Sequence, residues 1–410
     1  MSSSISKQRG EEPRSEQARE VARTSILSSL LRHLEVVADP RHARGKRHSL
    51  INVLSIVVFG TMCGCNDAEA LEDWGNKERE WLGGFLNLLH GIPSQDVFLR
   101  VLSLLDPEQF QRAFANWMVE VFRIMGMQGQ LAVDGQTLRR SHDRSKGQNA
   151  VHMLHGLWCE TGLVVAQRPT DTKSNEITAI PELLKLLSLE ATLVSIDAMG
   201  TQVAIAKQIR KQGGDYLLAL KGNQGTLSKQ VLHVFQEARD ARKRNVDEAQ
   251  PPVIQRATEV DKGHGRVETR TAEIITDFGD WVPESKRWVD LRTLVAIVAR
   301  REDLTTGEVS EQTRYYISSA DLSPTRANEA TRKHWLVENG LHYRLDVTFH
   351  QDSCRTRTLH AAENLAVVRH FVVNILRNFR GDKYSMPRRR RLCDYDPAYR
   401  SRVLKAAMAP

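Results

Sequence analysis

Two textures of hydrophobic patterning divide the 410-residue chain. From about residue 21 to 125, apolar positions recur at three- and four-residue spacing, which predicts helices. They fall over 24–37, along the uncharged run 50–64, around Trp74 and Trp81, and in two well-punctuated segments that follow. Pro93-Ser94 turns the chain into QDVFLRVLSLL. Asp106-Pro107-Glu108 supplies an N-cap, a Pro at the first helical position and an early acid before Phe110, Phe114, Trp117 and Val121. Beyond 128 the texture changes to β-branched runs broken by Gly and polar turns: GQLAVDGQTLRR, then a hairpin over 153–171 turning near Glu160-Thr161-Gly162, then ATLVSIDAMG. Helices are predicted over 176–188 and 201–212, with a strand at 215–222.

Three antiparallel strands followed by alternating helix and strand is the order of a ribonuclease H-like α/β sheet. Between about 226 and 325 the chain is β-rich, and this block reads as an insertion. Helices return at 326–346 and 360–379, the second with Leu365, Val368, Phe371, Val372 and Leu376 turned inward. The expected organisation is therefore a disordered tail at 1–20, an all-α N-terminal domain at 21–125, and an α/β ribonuclease H-like core at 126–225 and 326–380. The core is interrupted by a β-rich insertion at 226–325 and followed by a basic C-terminal tail at 381–410.

Composition narrows the function classes. Fifty-eight Lys and Arg against fifty Asp and Glu give a net charge of +8, which favours polyanionic partners without proving one. Five scattered cysteines form no CxxC pair, so a disulfide framework is not expected and a reducing cytoplasm fits. Cys63-Gly-Cys65 reads as a pair of buried small residues. The longest uncharged run, 49–66, has an apolar part shorter than the ~20 residues a membrane span needs, so a buried helix is expected there. The polar N-terminus has no apolar signal-peptide region.

The chemistry-bearing residues are carboxylates. Asp134 closes the apolar run LAVDG and Asp197 closes LVSIDAMG, each followed by a small residue. In HWLVENGLHYRLDVTF (334–349), His334, Glu338 and His342 are spaced to share one helix face beside a core stripe of Val337, Leu341 and Leu345. Three acids of like sign converge only if a cation neutralises them. Carboxylates without thiolates point to Mg²⁺, with Mn²⁺ able to substitute. Two such ions ~4 Å apart serve an in-line phosphoryl displacement, with Asp134 bridging both and Asp197 and Glu338 taking one each. The His-Glu-His spacing is not HExxH, and a zinc site is the weaker reading.

Together the runs VDGQTLRRS, KSNEITAIPELL, SIDAMGTQ, YLLALKGNQGTL, KGHGRVETR, HWLVENGLHYRLDVTF and AAENLAVVRH resemble the DDE transposases of bacterial insertion sequences. Within them, the chain is most similar to the branch that includes the H-repeat-associated proteins. GIPSQDVF and PRHARGKRHSL resemble that branch's leading helical domain, and the match covers roughly 25–380. The resemblance implies Asp134, Asp197 and Glu338 as the catalytic and metal-binding triad. It implies cleavage at the terminal inverted repeats of an element and strand transfer of the 3′-OH into target DNA. A homodimer on double-stranded DNA is expected by analogy. The alternative is a nuclease of the same fold, or a decayed or domesticated DNA-binding protein. Departures from the branch are Gln136 where Lys is usual, Thr201 for Cys, and His350-Gln351-Asp352 where an acidic pair is expected. Thr331, His334 and Leu345 stand at the Tyr, Arg and Lys offsets of a signature found in related transposases. Lys173, Lys221, His264, Arg266, Arg355 and Arg357 are candidate DNA contacts, as are His334 and His342, and Trp335 is placed to stack on a displaced base.

Overall fold

The computed structural model describes residues 25–125, 128–142, 149–170, 176–244, 252–263 and 265–406. The expected tail at 1–20 lies outside them, as do Lys173 and His264.

The N-terminal region is helical as its periodicity predicts: Ile26–Glu35, Leu50–Met62, Ala68–Lys77, Arg79–Gly83, Gln95–Leu104 and Pro107–Met125. Ser25, Ser49 and Asp67 each cap a helix, their side-chain oxygens accepting a backbone N–H three residues on. The Leu50–Met62 helix is apolar all round and is buried almost throughout, packed against Ala361–Asn378. No helix among the described residues is long and apolar enough to cross a membrane. Cys63 and Cys65 are buried and unbridged.

The basic C-terminal tail expected at 381–410 is, over Met386–Tyr395 and Pro397–Lys405, a pair of helices docked on this bundle. Its arginines account for the difference. Arg400 is fully buried, paired with Glu78 and lying 4.1 Å from the Trp81 ring centre; Arg390 donates to the Thr61 carbonyl. Sequence patterning cannot separate such inward cations from a solvated charge run.

Among the described residues, nine strands form one mixed sheet in the order β3-β2-β1-β4-β5-β9-β8-β7-β6. They are β1 Gly129–Thr137, β2 His152–Trp158, β3 Leu163–Thr170, β4 Thr192–Ile196, β5 Asp215–Leu220, β6 Gln255–Gly263, β7 Arg266–Ile275, β8 Thr293–Asp303 and β9 Val309–Ser318. β1, β2 and β3 pair antiparallel, whereas β4 runs parallel to β1 and β5 parallel to β4. The stretch 226–325 opens within the helix Gly225–Arg244, and its four strands do not form a separate sheet. β9 pairs antiparallel with β5, so the block extends the sheet edge to edge.

Side-chain alternation sends Leu131 and Val133 to one face, where Leu154, Val165, Ile180 and Leu183 cover them. Ala132 turns to the other face, into the core that holds Val337, Leu341, Phe371 and the N-terminal bundle. Asp134 shares that second parity, and so points toward the helical stretch that carries Glu338.

Candidate active site

Asp134 and Asp197 meet because of where the parallel ladder stops. The last pair joining β1 to β4 is Val133 with Ile196, and each aspartate is the next residue. Asp134 does not end its own strand, as the following glycine suggests. β1 continues because Gly135, Gln136 and Thr137 pair with Leu154, Met153 and His152. Gly135 is required for clearance instead: a Cβ there would run into the His152 imidazole and the Glu176 carboxyl. Beyond β4, Asp197 Oδ1 accepts the backbone N–H of Met199 at 3.0 Å and of Gly200 at 3.3 Å. The Thr201 hydroxyl donates to the Ala219 carbonyl of β5 at 2.6 Å, which ties this turn to the next strand.

The third acid sits on a helical stretch that is not one regular helix. An α-helix runs Pro324–His334, the chain turns at Trp335, and a π-helical turn spans Val337–His342 before α-helix resumes at Tyr343–Val347. π turns are rare and concentrate at functional sites. Val337, Leu341 and Leu345 are fully buried, as their stripe predicts. Glu338 is exposed, over the β1 side of the sheet.

His334 and His342 turn inward. His334 Nδ1 lies 3.0 Å from Ser195 Oγ. His342 Nε2 lies 3.0 Å from His155 Nδ1, with its Nδ1 3.7 Å from Asp134 Oδ2. Burial lowers each imidazole to about 4, so both are neutral near pH 7 and balance no negative charge. Both are neutral groups turned toward the sheet, where sequence reading expects DNA contacts. Behind them His155, level with Asp134 across the ladder, packs its ring edge-on to His370 at 4.7 Å.

Asp134 is pushed up to about 7, chiefly by burial, then by the Asp197 carboxylate, with Glu338 and Glu176 adding to it against a backbone hydrogen bond from Gly135. The acids therefore lie within electrostatic reach of one another. An all-oxygen donor set of this kind fits a hard divalent cation in its chemistry. Among the described residues, however, no three His, Cys, Asp or Glu side chains stand close enough to hold an ion as they are.

The other candidates scatter. Lys221 is exposed directly after β5, on the same edge as Asp197. Arg266 is exposed at the β6–β7 turn, away from the carboxylates. Ile196 stands level with Leu218, Ile317, Leu294 and Ile275, and Arg266 lies about 30 Å of strand beyond that level. Trp335 is half-buried under the Arg314 guanidinium, 4.4 Å from its ring centre. It lines a hollow of about 550 Å³ with Arg270, Arg301 and Arg332. Arg355 is exposed, and Arg357 Nε donates to the Arg140 carbonyl at 2.9 Å.

Sequence reading missed the polar groups that buttress the site. Gln130 Nε2 bridges Ser195 Oγ (2.9 Å) and the Ala330 carbonyl (2.8 Å), joining β1, β4 and the Glu-bearing stretch. His152 Nε2 meets Glu176 Oε1 at 2.6 Å, with both residues buried. Glu176 stands in the KSNEITAIPELL run, where a glutamate in a first helical turn passes for an ordinary capping acid.

Comparison with known proteins gives consistent matches. The family described as transposase DDE domain matches residues 126–375, and a DDE_Tnp_1-associated family matches 31–118. The Escherichia coli K12 protein YbfL is 37% identical over 381 residues, spanning 92% of this chain and 98% of its own length. The H repeat-associated protein YhhI of the same organism is 36% identical with the same coverage. A Xanthobacter autotrophicus protein from the dhlA 3′ region is 45% identical over 292 residues, 71% of this chain and 94% of its own.

Proposed function

The chain belongs to the transposase DDE-domain family, and from that premise we propose that it is an insertion-sequence transposase that cuts DNA at the element's terminal inverted repeats and joins the freed 3′-OH to target DNA. The observation that carries this reading is Asp134. It is a half-buried carboxylate at the end of a parallel ladder, within electrostatic reach of Asp197 and Glu338 and flanked by imidazoles that carry no charge. The strand order β3-β2-β1-β4-β5, with three antiparallel strands and two parallel ones, supports a ribonuclease H-like core.

Asp134, Asp197 and Glu338 would hold the divalent ions, Mg²⁺ or Mn²⁺ in its place. What such ions would supply there is activation of the attacking oxygen and stabilisation of the leaving 3′-oxygen. The rest is the work of this chain's own residues. The Met199 and Gly200 amides fix one oxygen of Asp197, which orients the other. His342, set by His155, faces one oxygen of Asp134. Gln130 and His334 keep the Glu-bearing stretch registered on β1 and β4.

The N-terminal helical domain reads as the part that binds element ends. Lys221, Arg266, Arg355 and the hollow beside Trp335 read as backbone and base contacts, with Lys173 and His264 as further candidates. Two ends must be brought together, so the working unit is a homodimer on double-stranded DNA, acting in the cytoplasm.

The test is incubation of the purified full-length protein with DNA carrying the repeats that flank its gene, with and without Mg²⁺ or Mn²⁺. Metal-dependent nicking at the repeat ends, followed by joining of pre-cleaved ends, is expected. Cleavage without joining would reduce the reading to a nuclease. Binding without either would reduce it to a DNA-binding protein.

A further inference from the structure

Glu338 is carried by a turn wider than an α-helix. The Tyr343 N–H reaches back to the Glu338 carbonyl, and the turn packs through Val337 and Leu341, which are fully buried. Apolar contact is non-directional, so it holds the turn near the sheet without fixing its rotation. Directional bonds do that. Ahead of Glu338 they are those of Gln130 and His334, already described. Two residues past it, the Gly340 carbonyl accepts a hydrogen bond from Arg377 Nη2 at 2.9 Å.

Arg377 stands near the end of the helix Ala361–Asn378 and holds two turns at once. Its Nη1 donates to the Gly162 carbonyl, in the turn between β2 and β3. Gly162 lies at φ +70°, where glycine is favoured, and a Cβ on it would occupy the place of the guanidinium. Three residues before Arg377, Asn374 clamps the neighbouring strand edge. Its Oδ1 accepts the Val164 N–H at 2.9 Å, and its Nδ2 donates to the Val164 carbonyl at 2.7 Å. Arg377 is therefore the outer arm of a mount that runs from β3 to the Glu-bearing turn.

The mount uses a costly group. Burial, then the charge of Arg344, lowers the Arg377 guanidinium to about 9, so it remains a cation near pH 7. Its Nε is buried with no partner among the described residues, and its bonds to Gly162 and Gly340 go to neutral carbonyls. An apolar side chain would fill this space at less cost in stability. What a guanidinium adds is a planar fork that donates to two fixed oxygens in a set geometry.

We propose that Arg377 is a positioning residue for Glu338. By bridging the Gly162 and Gly340 carbonyls it sets the rotation of the widened turn, and with it the direction of the Glu338 carboxylate. The consequence for catalysis rests on the reading of Glu338 as a metal ligand; the bridge itself does not.

The test compares the full-length wild type with Arg377→Met, which keeps the apolar stem, and Arg377→Lys, which keeps the charge without the fork. Gly162→Ala attacks the bridge from its other end. At a temperature where each protein is folded, hydrogen exchange over 338–345 should quicken about tenfold or more, with β1 and β4 unchanged. Cleavage of repeat-ended DNA should slow by about a hundredfold, with DNA affinity within about threefold and half-saturation moved to higher Mn²⁺. A purely structural role predicts a lowered thermal midpoint with the folded protein's cleavage rate and Mn²⁺ dependence unchanged, and that result overturns the proposal. Wild-type exchange over 338–345 in Arg377→Lys overturns it equally. If Arg377→Met does not fold, Arg377→Lys and Gly162→Ala decide. A wild-type protein that cleaves nothing overturns the transposase reading, while the exchange measurement still decides whether the bridge holds the turn.

Discussion

One sheet does two different jobs in its two halves. β2 and β4 are buried along their whole length and β1 is buried or half-buried throughout, under helices on both faces. In β7, β8 and β9 only the ends level with β5 are buried, β6 has no buried residue, and the rest runs out into solvent. The inner half buries polar groups at high cost, Gln130, His155 and His370, each engaged by specific neighbours, with Asp134 half-buried among them. The outer half carries Arg, Lys, Asp and Glu in loose exposed pairs such as Arg301 with Glu268. Such pairs contribute little to stability. Chemistry that depends on exact placement belongs where packing is dense. Affinity for a long polyanion belongs where charge is free to adjust.

The contrast is broken most severely at the carboxylates. Asp134→Asn, Asp197→Asn and Glu338→Gln should each lower cleavage of repeat-ended DNA about a thousandfold or more, with DNA affinity changing by less than about threefold. A single-turnover assay alongside a binding titration checks this, and retention of full cleavage by Glu338→Gln would remove that residue from the site.

Next in size is an acid sensitivity confined to the inner half. His334 and His342 are held at about 4, His370 at about 3 and His155 well below 6.5, all mainly by burial. Because the folded values lie below the unfolded one, the unfolded chain takes up protons first as pH falls. Stability should therefore drop steeply between about pH 6.5 and 4. Urea midpoints measured across that window test it; a flat profile would mean these imidazoles are not held neutral.

Asp134 itself points the other way. Its folded value near 7 lies above the ordinary aspartate range, so ionising it costs stability as pH rises toward 7. Asp134→Asn should consequently raise the thermal midpoint at pH 7.5 in EDTA, even as it abolishes cleavage. A lowered midpoint would show that the carboxylate is already compensated.

The smallest effects belong to the rim and the outer half. Trp335→Ala should weaken binding of DNA ends by about tenfold. Arg266→Ala should lower the slope of log affinity against log salt by about one, with little sequence dependence. An unchanged slope would take Arg266 out of the interface.

Legibility from sequence follows the same divide. Periodicity finds most of the elements, and a carboxylate after an apolar run finds Asp134 and Asp197, because both signals are local. Gln130 and Glu176 were invisible because their partners, Ser195 with Ala330 and His152, come from distant parts of the chain. The inward turn of His334 and His342 is hidden for a related reason: spacing gives the face of a helix but not what that face meets. Arg390 and Arg400 failed alike, since an arginine run looks the same whether water or a tryptophan lies beside it. The pairing of β5 with β9 was equally out of reach, because texture marks strands without telling which edges join.

That last pairing constrains how the gene can change. If residues 255–318 were deleted, β5 would become an outermost strand with a row of unsatisfied amides and carbonyls, a template for a neighbouring molecule's strand. Shortened descendants of this protein should therefore lose solubility before they lose their carboxylates. Natural deletions should instead stop at the β6–β7 and β8–β9 turns, trimming the hairpins from their tips.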